Sequence, residues 1–155
     1  MFKLTMLGAA ALVAMAAVTT QPALALPTAQ GRCATAFTTI TTASGFQPMS
    51  GLLLSINNGA SPRNTVVQVS ADIGVDPGAE VRIGYSIDGG APVEGVFGPA
   101  NLANHQEFWE TRTTMAIVRL PAGVHSVAPY WRISGVAGKN AFMTARCATI
   151  EGVTK

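Results

Sequence analysis

The chain has 155 residues, with 10 Lys or Arg against 8 Asp or Glu, and 48% of its residues are hydrophobic. This near-neutral balance, without any run of basic residues, excludes an electrostatic nucleic-acid partner and gives no reason to expect an anionic membrane surface as partner. The length fits one domain with a sizeable core.

The first 25 residues have the three parts of a secretory signal peptide. Met1–Lys3 is basic, residues 4–18 form an apolar run, and Ala23–Ala25 supplies small residues where signal peptidase accepts them. The apolar run is shorter than the roughly 20 residues that span a bilayer. We therefore expect cleavage near Ala25, secretion to an extracellular or periplasmic location, and a single domain over residues 26–155 with no membrane span.

The two cysteines, Cys33 and Cys147, lie near the two ends of that domain. In an oxidising compartment the expected state is one disulfide, which would make the first and last strands neighbours. A zinc site shared with His105 and His125 is the alternative, but no pair among these residues has the short spacing of zinc ligands. We therefore predict a disulfide, no metal and no cofactor.

The body of the chain alternates apolar and polar residues with a period of two, most clearly over residues 67–73 and 81–87. Val75–Gly78 is a turn between them, and Asp88–Gly90 predicts a hairpin with residues 91–97. Weaker strands are predicted over residues 34–42, 52–57, 113–120, 124–134 and 141–150. Because no long helical period occurs, the sequence predicts an all-β fold: an antiparallel β-sandwich, jelly-roll-like, with one disulfide joining the terminal strands.

The segment Leu120–Gly135 contains both His125 and Trp131. Pro121–Gly123 predicts a turn, after which a strand returns. One face of that strand is the predicted core face, and it carries Val127, Trp131 and Ile133. We expect His125 at the rim of this face, hydrogen-bonded near the turn and without a catalytic role. Pro129 cannot donate to a sheet ladder, which predicts an edge or a bulge there.

The run LPAGVHSVAPYWRISG, followed by AFMTARCATIEG, resembles the C-terminal strand pair of small jelly-roll-like β-sandwich domains. Such domains occur in phage tail and secreted bacterial proteins. The shared pattern is a His-containing strand ending in an aromatic residue and Arg, then a Gly-rich turn and a final strand. Cys147 and the signal peptide depart from that pattern. The resemblance implies a β-sandwich fold and self-association, as a homo-oligomer, and it transfers no catalytic residue.

The candidate site is the segment NLANHQEFWETR, residues 101–112. Its candidate ligand-binding residues are His105, Glu107, Trp109 and Glu110. Paired carboxylates beside a tryptophan are typical of a sugar-binding or glycosidase cleft. The alternative is a structural connector, a helical turn capped by Asn104 with Glu107 completing a capping box. No catalytic residue is assigned, because carboxylates so close in sequence lie on one loop rather than on opposite walls.

Two classes of function follow from the sequence. The first is a secreted, non-catalytic β-sandwich module that acts through its surface in adhesion, in the envelope or in oligomer formation, with a carbohydrate or a protein as its ligand. The second is a carbohydrate-binding domain or small glycoside hydrolase that uses the His105–Glu110 loop. An exposed Trp109 with shaped walls around it favours the second class, and a buried Trp109 favours the first.

Overall fold

The structure is a computed structural model, and it describes residues 29–42, 45–94, 101–104 and 109–153. Every regular element in these ranges is a β-strand. The strands are β1 (Gln30–Ala34), β2 (Thr38–Thr41), β3 (Gln47–Pro48), β4 (Leu54–Asn57), β5 (Arg63–Val75), β6 (Ala79–Ile87), β7 (Val93–Glu94), β8 (Asn101–Asn104), β9 (Glu110–Leu120), β10 (Val124–Gly135) and β11 (Asn140–Val153).

The strands form two antiparallel sheets that pack face to face. In the first sheet the order is β1–β11–β5–β9, and β2 also pairs with β11. In the second sheet the order is β3–β10–β6–β7, with β4 also pairing with β10 and β8 with β6. The chain therefore passes repeatedly from one sheet to the other, as in a jelly roll. The predicted antiparallel β-sandwich is confirmed.

Two of the turns predicted from the sequence lead into the opposite sheet rather than into a hairpin. Asp76–Gly78 connects β5 of the first sheet to β6 of the second, and residues 121–123 connect β9 to β10 in the same way. Gly78 and Gly123 have φ angles of 83° and 109°, which glycine adopts at little cost. The predicted hairpin across Asp88–Gly90 does form, because β7 pairs with β6.

The core lies between the two inner faces, and Trp131 is one of its largest members. Its side chain is 1% exposed, and its register partner in β6 is Ile83, which is also buried. Val127 and Ile133, on the same face of β10, are buried as well. The predicted core face of this strand is therefore confirmed.

The prediction of an edge or a bulge at Pro129 is wrong, because β10 is a central strand with a regular register to β6. On its other side, β10 pairs with β4 over residues 124–127 and with β3 at residues 130–131. Pro129 lies in the interval between these two short partners, where no ladder N–H is required on that side. Its carbonyl accepts a hydrogen bond from the Met49 N–H at 2.9 Å.

Cys33 and Cys147 form a disulfide between the adjacent strands β1 and β11. The two residues are direct register partners, with Cα atoms 4.1 Å apart. Both the predicted bond and the predicted proximity of the first and last strands are confirmed. The bond lies on the outer face of the first sheet, next to Ser70 of β5 in the register.

The outer face of the second sheet is occupied by ion pairs between its own side chains. Arg82 pairs with Glu80 and Glu94, and Arg132 also pairs with Glu94. The Arg132 guanidinium lies 5.1 Å from the centre of the Phe46 ring, within the range of a cation–π interaction. The charged groups of this face therefore pair with one another.

Candidate functional site: an aromatic cleft on the first sheet

Three aromatic rings meet at one end of the outer face of the first sheet. Phe37 lies between β1 and β2, Trp109 immediately precedes β9, and Phe142 lies on β11. Their ring centres are 6.2–6.5 Å apart in all three pairs. We call these three residues the aromatic cluster. Because Trp109 is 51% exposed and Phe37 62% exposed, a large part of the cluster surface is open to solvent.

The Trp109 indole lies over a glycine of the neighbouring strand. Gly74 faces outward near the end of β5, opposite Phe142 of β11 in the register. A Cβ atom at Gly74 would lie 3.6 Å from Trp109 Cδ2, so the indole lies directly over this position. One face of the ring therefore lies against the sheet while about half of the Trp109 side chain stays exposed.

An open cleft adjoins the aromatic cluster, and apart from Trp109 the described residues that line it are polar. The cleft has a volume of about 350 Å³, and Trp109, Asp72, Thr111 and Thr144 line it. The Thr111 hydroxyl donates a hydrogen bond to Asp72 Oδ1. A smaller cavity of about 160 Å³ shares Asp72 and Thr111 and extends to Ser70 and the disulfide residue Cys147. An apolar wall facing a few polar groups is the usual composition of a small-ligand site.

A β-bulge in β11 shapes one side of this cleft. Between Met143 and Arg146 the register to β5 shifts, because three steps along β11 match two steps along β5. Thr144, within the bulge, lines the cleft, whereas Arg146 beyond it is turned into the interior and is 3% exposed. The bulge therefore gives the outer face a hydroxyl and the interior a guanidinium.

Arg146 fixes the chain next to the aromatic cluster. Its Nη1 donates to the Ala36 carbonyl at 2.7 Å, and its Nη2 donates to the Ser50 carbonyl at 2.9 Å. Burial lowers the pKa of this guanidinium, and the carbonyl oxygens offset part of the cost of removing it from water. Because Ala36 directly precedes Phe37, Arg146 helps to position one ring of the cluster.

The structure describes two of the four sequence-predicted site residues, Trp109 and Glu110. Trp109 lines the cleft, and its ligand-binding role stays a prediction. Glu110 is the first residue of β9 and pairs with Ile73 of β5. His105 and Glu107 lie outside the described residues, so their part in the site stays a prediction.

Sequence reasoning missed the other members of the site. Phe37, Asp72, Phe142 and Thr144 come from segments far apart in the chain. Phe142 and Asp72 occupy outward positions of strands, which alternation alone assigns to solvent. The usable signal was an aromatic residue, Phe142, at an outward strand position.

His125 lies in the second sheet, away from this cleft, and pairs with Asp88. Its Nδ1 is 2.8 Å from Asp88 Oδ2, and the Ser126 N–H donates to Asp88 Oδ1 at 2.8 Å. Its Nε2 is buried and makes no hydrogen bond within the described part of the chain. The pair connects the β6–β7 turn to β10.

The His125–Asp88 pair predicts a pH-dependent stability. The hydrogen bond with Asp88 raises the pKa of His125, and the hydrogen bond with His125 lowers the pKa of Asp88. The contribution of His125 to the free energy of unfolding is complete below the unfolded pKa of about 6.5, and it is lost as the pH rises through the pKa of the folded state. The Asp88 contribution is present above its unfolded pKa of about 3.9 and is lost as the pH falls through its folded pKa.

We expect Asp88→Asn to destabilise the protein more at about pH 6 than at about pH 8.5, as measured by urea unfolding. Asparagine tolerates the φ of 51° at this position and still accepts the Ser126 hydrogen bond, so the variant removes mainly the charge. Glu151→Gln, on the first sheet, is the control and should show no such step. An equal loss at both pH values would contradict the pairing.

No three His, Cys, Asp or Glu side chains within the described ranges come together as a metal site requires. No helix in the same ranges is long and apolar enough to cross a membrane.

No protein-family model matches this chain, and no curated protein has a matching sequence. In structure it is similar to Eiger TNF from S. frugiperda, with a TM-score of 0.44 and 9% identity over 84% of this chain and 94% of that chain. It is similar to an infectious bursal disease virus chain, Gt strain, with a TM-score of 0.48 and 10% identity over 93% of this chain and 37% of that chain. It is also similar to CBM35 from Paenibacillus barcinonensis, with a TM-score of 0.35 and 15% identity over 83% of this chain and 99% of that chain.

Similarities at these identities and TM-scores do not identify the site or its ligand. They identify no family, so the resemblance seen in the sequence holds at the level of a β-sandwich.

Proposed function

We propose that the protein is a secreted carbohydrate-binding β-sandwich module that uses the aromatic cleft and performs no catalysis. The observation that carries this proposal is the half-exposed Trp109, which forms one wall of a cleft whose other described walls are polar. An exposed Trp109 with shaped walls around it is the feature that favours the carbohydrate-binding class over a purely structural module. Secretion is supported by the basic start and apolar run of residues 1–18.

The chemistry of a sugar ring fits the two kinds of wall. A pyranose presents C–H groups on its faces and hydroxyl groups around its rim. The faces can pack on the aromatic cluster, whose indole and phenyl rings provide rigid apolar area. The rim hydroxyls can bond to Asp72, Thr111 and Thr144, which offer acceptors and donors on the opposite side.

The cleft supports binding rather than hydrolysis. Glycoside hydrolases use two carboxyl groups that flank the scissile bond, about 5–9.5 Å apart. Among the described residues that line the two cavities, Asp72 is the one carboxylate. Its hydrogen bond with Thr111 suits a fixed acceptor for a ligand hydroxyl.

We expect Trp109→Ala to weaken polysaccharide binding by about thirtyfold or more, since a central aromatic anchor typically contributes 2 kcal/mol or more to binding. The measurement is affinity electrophoresis of the purified protein in gels containing glucans, xylan, mannan or chitosan, followed by calorimetry with the retained polymer. Trp131 is buried, so a ligand-induced change in tryptophan fluorescence would report on Trp109.

Tyr130→Ala is the matched control for the Trp109 variant, because Tyr130 is a partly exposed aromatic residue of the second sheet. It should bind as the unchanged protein does. Retention by no polysaccharide, or equal retention of the Trp109→Ala variant, would overturn the proposed function.

A further inference from the structure

Asp72 occupies the junction of the two cavities on the first sheet. It lines both the larger cleft beside Trp109 and the smaller cavity beside the disulfide. Thr111 lines both as well and donates its hydroxyl hydrogen to the Asp72 carboxylate. Any ligand that packs on the Trp109 ring and extends toward Cys147 must therefore pass this carboxylate.

Among the described residues, no cationic group is paired with the Asp72 carboxylate. Its neighbours in the two cavities are hydroxyl side chains, those of Thr111, Thr144 and Ser70. The basic residue that lines the smaller cavity is Arg146, whose guanidinium donates to the Ala36 and Ser50 carbonyls. No Lys, Arg or His in the described part of the chain forms an ion pair with Asp72.

An unpaired carboxylate between an aromatic wall and neutral hydroxyls selects ligands by charge. It attracts a cationic donor, which makes a stronger hydrogen bond to it than a neutral hydroxyl does. It repels an acidic sugar, because two like charges would be brought together in a partly desolvated cleft. The aromatic rings add to the preference, since their faces are electrostatically negative.

We propose that the cleft is selective for amino sugars, with the protonated amino group of a hexosamine unit bound to Asp72 while the sugar ring packs on the aromatic cluster. This inference rests on the proposed carbohydrate-binding function and names its ligand class. Asp72 is then the residue that determines specificity, and the aromatic cluster supplies the binding common to all sugars.

Three β-1,4-linked hexaoses test this inference with the purified protein at mildly acidic pH. They are the hexamers of glucosamine, of N-acetylglucosamine and of glucose, which share a backbone and differ in the group on C2. By calorimetry the glucosamine hexamer should bind about two- to fivefold more tightly than the glucose hexamer, as expected for a partly exposed ion pair. Added salt should reduce this difference.

Asp72→Asn should bring the ratio of the glucosamine and glucose affinities close to one, whatever it does to the affinity for either sugar, because the amide keeps the shape and removes the charge. Glu151→Gln is the matched control, because it removes one carboxylate from the same sheet at an exposed position outside the two cavities. The preference should persist in that variant.

The outcomes separate the inference from the function on which it rests. If the glucose and glucosamine hexamers bind equally, or if the two variants lose the preference equally, the amino-sugar inference fails and carbohydrate binding stands. Tighter binding of an acidic oligomer of galacturonate would also overturn the inference. Binding of none of these oligomers, together with no retention by any polysaccharide, would remove both.

Discussion

Trp131→Ala is expected to lower the free energy of unfolding by about 3–5 kcal/mol, the range for deleting a large aromatic side chain from a core. Trp131 is 1% exposed and lies between the two sheets, next to Ile83 across the strand pair. Removing the indole leaves a cavity that the rigid β-strands cannot fill by small movements. Urea unfolding followed by circular dichroism gives the measurement.

Trp109→Ala provides the control for this stability measurement. Trp109 is 51% exposed, so its removal exposes little new apolar surface and should cost much less stability than removal of Trp131. Together the two variants separate the tryptophan that holds the core from the tryptophan proposed to bind ligand. A Trp131→Ala protein that unfolds at the same urea concentration as the unchanged protein would contradict the core assignment.

The strands were predictable from the sequence because each long strand has one face in the core. Alternation over residues 67–73 marks the central part of β5, and alternation over residues 81–87 marks all of β6 except its first two residues. The turn at Asp88–Gly90 and the two cysteines predicted the pairs β6–β7 and β1–β11, but the sequence did not predict how the other strands pair. A turn such as Pro121–Gly123 reverses the chain equally well within one sheet or between two sheets.

Pro129 illustrates how tertiary context alters a local rule. Proline is disfavoured inside a sheet because it lacks an N–H group. Here one side of the central strand β10 is paired by two short strands in succession, and Pro129 lies between them. No local signal in the sequence reveals that β3 and β4 share one side of β10, so the prediction of an edge or a bulge followed from a sound rule and was still wrong.

The candidate site was only partly predictable, because its members are assembled by long-range pairing. Trp109 was found because it stands among polar residues in a connecting segment. Phe142 and Gly74 become neighbours only through the register of β11 with β5, and Phe37 reaches them only because β1 and β2 both pair with β11. The bulge that turns Arg146 inward has no recognisable sequence signal. The predicted homo-oligomer stays a prediction.

The second large effect expected is the loss of about 4–5 kcal/mol of stability in the double variant Cys33→Ser, Cys147→Ser. The disulfide joins residues 114 positions apart, so without it the unfolded chain gains the conformational freedom of a very long loop. The double variant is preferred to either single one, which would leave a reactive thiol. Urea unfolding without reductant compares the variant with the unchanged protein.

Two further measurements make the disulfide prediction specific. Thiol titration of the denatured, unreduced protein should detect no free thiol, because both cysteines of the chain are in the bond. Reductant should destabilise the unchanged protein by the same amount as the double substitution and should not affect the variant. Since β1 holds five register pairs with β11 besides the covalent bond, the folded structure of the variant should persist at low urea. Two reactive thiols per denatured chain, or a variant as stable as the unchanged protein, would show that the bond does not constrain the unfolded chain as expected.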